Sequence, residues 1–314
     1  MSKKVLIADK FPEKWISVLE KNGIEVINKP ALGENDLVEA AKNVDVVVVR
    51  STKVNAEAIN NSEDLKLIIR AGSGFNNIKT DAATAKGVAV ANTPGKNAVA
   101  VAELAMGHIL CLDRKIPSNV SDFNNGVWNK AEYSKADGLL GKTLGIIGVG
   151  NIGKELAKRA LAFGINVIGY DLFEVKDVNF EMVSDLDELV KQSDIISLHL
   201  PANDKTKGMF NDEMFAKMKD GAMLINTSRA EVVNEDSLLK AVAEKGIVAG
   251  VDVFADEPEA KTGEVKSKLQ GIKGIYVTHH IGASTEQAQD AVAEETINVI
   301  LGFAKDGTVK NKVN

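Results

Sequence analysis

Short, unbroken apolar runs recur along the first hundred residues, at 5–8, 26–27, 46–49, 67–69 and 88–91, with helical stretches expected over 12–21 and 34–42. Strands that are apolar on every position are buried on both faces, so this alternation predicts a parallel sheet with right-handed helical crossovers. A long helix follows over 97–115, with Pro117 just beyond its end. The stretch 118–141 carries Trp128 and Tyr133 without a clear period and reads as a loop. A second series then begins, with strands at 144–147, 167–170, 195–198, 223–225, 248–251 and 276–278, before a final helical stretch at 285–305. The pattern alone does not say which series that last helix joins.

Composition narrows the class. At 314 residues the chain is long for one domain and comfortable for two. Apolar residues make up 45% and charged residues 26%, ordinary globular usage that disfavours disorder, collagen and coiled coil. The formal charge of −6, without a long basic run, lacks the electrostatic footprint of a nucleic-acid binder. The single cysteine, Cys111, cannot form an internal disulfide, and its neighbours Ile109, Leu110 and Leu112 suggest a buried helix position. The start, Met1-Ser2-Lys3-Lys4, runs directly into the strand at 5–8, an apolar run too short for a signal-peptide core or a membrane helix. A cytoplasmic protein with no membrane partner is expected.

The most informative motif is Gly148-Val149-Gly150-Asn151-Ile152-Gly153, between the strand 144–147 and a helix expected through Phe163. Gly148 permits a tight turn, Gly150 lets the backbone approach a pyrophosphate, and Gly153 lets helix and strand pack closely, while the helix N-terminus faces the anion. A glycine turn closing an ordinary βα unit is the plainer reading. Against it, the next strand ends at Tyr170-Asp171, which puts Asp171 where it accepts hydrogen bonds from a ribose diol. Asp171 would repel a 2′-phosphate, so NAD is favoured over NADP. The fold expected is α/β, with two Rossmann-like parallel-sheet domains.

Three further groups stand just past strand ends, where open parallel sheets bind ligands. Asn226-Thr227-Ser228-Arg229 offers a guanidinium fork suited to a carboxylate, though Arg229 alone reads more readily as a surface ion pair. Asp252-Val253-Phe254-Ala255-Asp256-Glu257-Pro258 supplies carboxylates, and an isolated acidic loop is usually only solvated. His279 and His280, followed by Ile281-Gly282-Ala283-Ser284, hold two of the four histidines. Histidine takes a proton from a hydroxyl near neutral pH, and a nearby carboxylate raises its pKa. Their coincidence at three strand ends of one nucleotide-binding sheet outweighs the bland reading of each. His199, Leu200 and Pro201, after the strand 195–198, wall the cofactor site or merely cap that strand. No metal-site spacing occurs.

These motifs, with Arg70-Ala71-Gly72-Ser73-Gly74 and Asn92-Thr93-Pro94, make the chain resemble the D-isomer-specific 2-hydroxyacid dehydrogenases, most closely the short D-3-phosphoglycerate dehydrogenases. The likeness runs over nearly the whole chain and includes the ending Val309-Lys310-Asn311-Lys312-Val313-Asn314, before any regulatory domain of longer members. It implies a discontinuous, flavodoxin-like substrate domain at 1–97 and 285–314, an inserted NAD-binding domain at 98–284, an active site in the cleft between them, and a homodimer. It implies that Arg229 binds the substrate carboxylate and polarises the C2 oxygen, that His280 is the acid/base, and that Glu257 pairs with His280. Asp252 then approaches the nicotinamide end, with Thr227, Ser228, Gly282 and Ala283 around the cofactor. Two departures stand out: Ala230-Glu231 where the family usually has glycines, and His279 where it usually has proline.

For the substrate, Arg50 and Arg70 end the strands 46–49 and 67–69, and two guanidinium groups suit a phosphate that a lactate-sized acid lacks. Two arginines on a surface rim are the plainer alternative. The amides of Gly72, Ser73 and Gly74 are candidates for the carboxylate. Oxidation of D-3-phosphoglycerate to 3-phosphohydroxypyruvate, the entry to serine biosynthesis in this family, is the expected reaction. A glycerate/hydroxypyruvate reductase is the alternative, and an NAD-sensing binding protein a further one, since fold alone does not decide function.

Overall fold

The computed structural model describes residues 3–258 and 262–314. Met1 and Ser2, which open the stretch read above as neither signal nor membrane segment, lie outside the described residues. The first run of elements is β1 (Lys4–Ile7), α1 (Glu13–Lys21), β2 (Glu25–Asn28), α2 (Glu34–Ala40), β3 (Val46–Val49), α3 (Ala56–Asn60), β4 (Leu67–Arg70), α4 (Thr80–Lys86) and β5 (Ala89–Asn92). Then come α5 (Ala98–Arg114), α6 (Ile116–Asn124), α7 (Lys130–Tyr133), β6 (Thr143–Ile147), α8 (Asn151–Ala162), β7 (Asn166–Tyr170), β8 (Glu181–Met182) and α9 (Leu186–Gln192). The chain continues through β9 (Ile195–Leu198), α10 (Asp212–Lys217), β10 (Met223–Asn226), a 3-10 turn (Ala230–Val232), α11 (Glu235–Lys245), β11 (Val248–Val251), β12 (Ile275–Val277) and α12 (Glu286–Asp306). It divides into two compact units, Met1–Asn97 with Thr285–Asn314, and Ala98–Ser284.

The first unit is built on a parallel sheet in the order β2-β1-β3-β4-β5. Its centre is the all-valine β3, buried throughout, as expected of a β-branched strand covered on both faces. One face packs on α2, α3 and α4 through Leu37, Ala58, Ile59 and Ala83. The other is covered by α1 and α12, which bring Ile16, Leu19, Ile297, Val299 and Ile300 against Val5, Ile7 and Val48. That burial draws α12 to the first sheet. The Thr285 hydroxyl caps α12 by accepting from the Ala288 amide. Beyond α12 the chain runs along the open edge of β5, where the Val313 amide donates to the Val90 carbonyl and Asn314 Oδ1 accepts from the Val90 amide.

In the second unit the parallel order is β12-β11-β10-β9-β6-β7-β8. From β6 the chain builds outward through β7 and β8, then returns to build the other way from β9. The reversal between β6 and β9 is a topological switch point, where such sheets open a ligand crevice at their carboxyl ends. Helix α5 is apolar nearly all round, and its alanines at 98, 100, 102 and 105 are buried, as a helix without a polar face requires.

The stretch 118–141 is not the loop expected from its lack of a clear period. Pro117 stands in the first turn of α6, where a missing N–H costs nothing, and Lys115 in a left-handed conformation (φ 49°) separates α6 from α5. Helices α6 and α7 are held by polar contacts, Ser118 Oγ to the Tyr276 hydroxyl at 2.8 Å and the Tyr133 hydroxyl donating to Asp122 at 2.6 Å. Helix α6 carries its apolar positions Ile116, Val120 and Phe123 exposed, and α7 is too short to show a period. Cys111 is half-buried on α5, less enclosed than its neighbours imply, and burial pushes its thiol pKa up. Among the described residues no helix is long and apolar enough to cross a membrane.

Candidate active site

The glycine turn leaves β6 at the switch point. Gly148 adopts φ 92°, and a Cβ there would lie 2.5 Å from the His199 carbonyl at the end of β9, so only glycine fits between the two strand ends. A Cβ on Gly153 would lie 2.5 Å from the Gly148 carbonyl, which forces α8 close to the turn. At Gly150, the cap of α8, a Cβ would meet nothing within 4 Å. That open space beside a helix N-terminus carrying Asn151 and Ile152 fits a phosphate-bearing ligand. Asp171 Oδ2 accepts from the Val149 amide at 2.8 Å and Oδ1 from the Phe173 amide at 3.1 Å. The carboxylate is thereby latched to the glycine turn, with lone pairs remaining for a diol.

On the facing strand end, His199 Nε2 lies 2.9 Å from Ser197 Oγ, while its Nδ1 is buried without a partner. Burial pushes this imidazole down to about 4, so it is neutral near pH 7. Thr227 Oγ1, past the end of β10, is likewise buried without a partner. Two orphaned polar atoms beside the glycine turn's sheet end fit a polar ligand, since such groups are rarely left unpaired. Leu200 and Pro201 continue from His199, and Leu200 packs toward Gly148.

The chain after β10 is folded back by Asn226. Its Oδ1 accepts from both the amide and the hydroxyl of Ser228, and its Nδ2 donates to the Arg229 carbonyl. Arg229 is thus presented half-buried, with Nη1 donating to the Ser228 carbonyl at 2.6 Å. After β11, the buried Asp252 accepts from Thr278 Oγ1 at 2.6 Å, the Ile281 amide at 2.9 Å and the Gly282 amide at 2.8 Å. Its own carbonyl accepts from the His280 amide. A Cβ on Gly282 would crowd Asp252 Oδ2 at 3.1 Å. These bonds fix a turn in which His280 takes φ 51°, a left-handed conformation that histidine adopts uncommonly and that marks functional sites.

His280 Nδ1 lies 2.7 Å from Glu257 Oε2, and Glu257 Oε1 accepts from the Phe254 amide, which fixes the carboxylate in turn. The Glu257 hydrogen bond holds the imidazole pKa above its ordinary value, with Asp252 adding to the rise; partial burial and Arg229 oppose it. Arg229, Glu257 and His280 line one groove of about 670 Å³, together with Glu231, Asp236 and Lys268. A cation, a base and its carboxylate therefore face one space. His279 is exposed, and it is His280 whose ring meets Glu257.

In the first unit, Arg50 and Arg70 stand half-buried at the carboxyl ends of the paired strands β3 and β4, where Val49 is in register with Arg70. A Cβ on Gly72 would overlap the Arg70 guanidinium, so the glycine makes room for it. One expectation is revised: the Gly72 amide is spent on the Arg70 carbonyl at 2.9 Å and is no candidate for a carboxylate. Ser73 donates its hydroxyl to Asn97 Oδ1 and accepts at its carbonyl from Asn92, which steadies the Ser73-Gly74 turn. The sequence reading passed over Thr278 and His108, which hydrogen-bond each other behind Asp252. The available signal was a histidine inside an otherwise apolar helix face.

A family model described as D-isomer specific 2-hydroxyacid dehydrogenase, NAD binding domain, matches residues 106–282. A hydroxypyruvate reductase of Thermotoga maritima is 45% identical over 286 residues, 90% of this chain and 92% of that one. A D-3-phosphoglycerate dehydrogenase of Methanocaldococcus jannaschii is 40% identical over 98% of this chain, which spans 59% of that relative's length. The structure of a 3-phosphoglycerate dehydrogenase of Entamoeba histolytica with bound NAD+ covers 100% of this chain and 99% of its own, at 31% identity and a TM-score of 0.83.

Proposed function

The chain belongs to the D-isomer specific 2-hydroxyacid dehydrogenases, NAD-binding oxidoreductases, and from that premise we propose that it oxidises D-3-phosphoglycerate to 3-phosphohydroxypyruvate. The observation that carries the choice of substrate is the pair Arg50 and Arg70 on adjacent strand ends, a double guanidinium suited to a dianionic phosphate. Relatives named for phosphoglycerate support it. In this reading Met1–Asn97 with Thr285–Asn314 is the substrate unit and Ala98–Ser284 the NAD unit.

His280 Nε2 takes the proton of the C2 hydroxyl, because Nδ1 is committed to Glu257. Arg229 holds the substrate carboxylate and polarises the C2 oxygen, while Ser73 and Gly74 are the candidate substrate-binding residues of the first unit. Gly148, Gly150, Asn151, Ile152 and Gly153 would hold the pyrophosphate of NAD and Asp171 the adenosine ribose, with His199, Leu200, Pro201, Thr227, Ser228, Asp252, Gly282 and Ala283 as the candidate residues for the nicotinamide end. When bound, NAD accepts the hydride that leaves C2. The protein contributes position, charge and a base.

A glycerate/hydroxypyruvate reductase is the second reading, favoured by the Thermotoga maritima relative matched over 92% of its length. Steady-state rates on D-3-phosphoglycerate, D-glycerate and D-lactate, followed by nicotinamide absorbance, decide between them. The phosphoglycerate reading expects kcat/KM highest for the phosphorylated acid; equal or better rates on D-glycerate would overturn it. A homodimer also belongs to this reading, supported by the exposed apolar residues Val120, Phe123 and Trp128 on and after α6.

A further inference from the structure

His108 is buried on α5, its relative exposure only 4%. Its Nε2 lies 3.1 Å from Thr278 Oγ1, and Thr278 Oγ1 lies 2.6 Å from Asp252 Oδ1. A carboxylate only accepts, so the single threonine hydrogen goes to Asp252. The threonine oxygen must then receive its bond from His108, which fixes the Nε2–H tautomer. Opposite the ring, Gly250 of β11 leaves the room it needs: a Cβ there would come within 2.6 Å of His108 Cβ and 2.8 Å of Nδ1. Two residues far apart in sequence are thus fitted to each other, a glycine in a strand interior and a histidine in an apolar helix.

The chain of donors ends at the catalytic turn. Asp252, oriented by Thr278, accepts the Ile281 and Gly282 amides that follow His280, and its carbonyl accepts the His280 amide. We infer that His108 is a positioning residue for the acid/base His280, acting through the Thr278 hydroxyl and the Asp252 carboxylate. This rests on the reading of His280 as the base. Burial, opposed by the Asp252 charge, lowers the His108 pKa, and in the neutral ring the bond to Thr278 keeps the hydrogen on Nε2. Asp252 is the charged group facing His108, while Glu257, Asp252 and Arg229 face His280. Without the His108 donor, Thr278 Oγ1 loses one of its two partners, its hold on Asp252 Oδ1 loosens, and the turn carrying His280 is left to the Ile281 and Gly282 amides alone, with a weaker Glu257 contact.

The test compares His108→Leu, His108→Gln, Thr278→Val and the double variant His108→Leu/Thr278→Val. His108→Leu is expected to lower kcat about tenfold, the equivalent of one lost buried hydrogen bond, with NADH affinity within about twofold. The pH at which oxidation reaches half its maximum should move downward, because the Glu257 contact that raises the His280 pKa is weakened. His108→Gln, which retains a side-chain N–H donor, should recover most of kcat and the original profile. The double variant should be no worse than the worse single one, since both cut the same chain. Wild-type kcat and pH profile in His108→Leu, equal impairment of the Leu and Gln variants, or additive losses in the double variant would each overturn the inference. His280→Ala in the same series separates the two levels: normal turnover there removes the acid/base reading and this inference with it. Loss of turnover there, beside a wild-type His108→Leu, removes this inference alone.

Discussion

Glu257 and His280 meet at 2.7 Å through Oε2 and Nδ1, on a turn whose backbone is held independently by Asp252. The carboxylate therefore sets the ionisation of the imidazole more than its place. Its bond raises the His280 pKa, and the protonated form persists to higher pH than in a free histidine. Oxidation needs the neutral ring, so kcat/KM for the hydroxyacid should rise with pH through that elevated value. In Glu257→Gln the limb should move to lower pH while maximal kcat falls by roughly tenfold to a hundredfold, because the imidazolium formed in the transition state loses its partner. A pH–rate profile that coincides with the wild type would contradict this.

Asp171 is bonded to the Val149 amide inside the glycine turn, so it both shapes the turn and awaits a diol. Asp171→Ala is expected to weaken NADH binding about tenfold to a hundredfold, the loss of charged hydrogen bonds of about 1.5–3 kcal/mol. It should also narrow the preference for NADH over NADPH, since the carboxylate that repels a 2′-phosphate is gone. Fluorescence titration with both nucleotides measures it, and an unchanged affinity ratio would count against the ribose assignment.

The double guanidinium predicts a substrate-selective defect. Arg70→Ala should raise KM for D-3-phosphoglycerate about tenfold or more, while D-glycerate oxidation changes by less than about threefold. Equal losses on both acids would place Arg70 outside phosphate recognition. Gly72→Ala should resemble Arg70→Ala, because its Cβ would displace the same guanidinium.

Glu295 on α12, its side chain 6% exposed, accepts from Lys310 at 2.8 Å and Asn311 at 3.0 Å, with Lys96 at 3.4 Å. The Lys310 bond, opposed by burial, holds its carboxyl down at about 2, from an ordinary 4.5. A lowered folded-state pKa gives stability that is present above pH 4.5 and lost as pH falls toward 2. Glu295→Gln should cost roughly 1–3 kcal/mol at pH 7, and the gap to wild type should close through that acid window. Thermal melts across pH report it; a constant gap would refute the assignment.

Much of the site was legible in the chain because strands buried on both faces leave unbroken apolar runs, and ligand groups follow their carboxyl ends. Gly148 to Gly153, Arg229 and His280 stand out for that reason. The partnership of His108 with Thr278 was not legible. The strand expected at 276–278 ends at Val277 with the Thr278 amide still on the Val251 carbonyl, and no pattern along the chain shows that the Thr278 hydroxyl lies between His108 and Asp252. Helix α6 escaped notice because its three apolar positions, Ile116, Val120 and Phe123, stand among turn-favouring Ser and Asn residues, and α7 because four residues carry no period. Nor did the pattern at 285–305 declare its sheet: that choice is made by which apolar surface Ile297, Val299 and Ile300 find, a property of the packed unit.

The placement of α12 also imposes an order on synthesis. The unit Ala98–Ser284 is continuous, so all of it is synthesised before α12. Until α12 arrives, the face of the β1–β5 sheet that bears Val5, Ile7 and Ile69 is covered by α1 alone. The nascent chain thus carries the whole of Ala98–Ser284 before the β1–β5 sheet is fully covered, and the arrival of Thr285–Asn314 decides when that sheet has a closed core rather than a face open to chaperones.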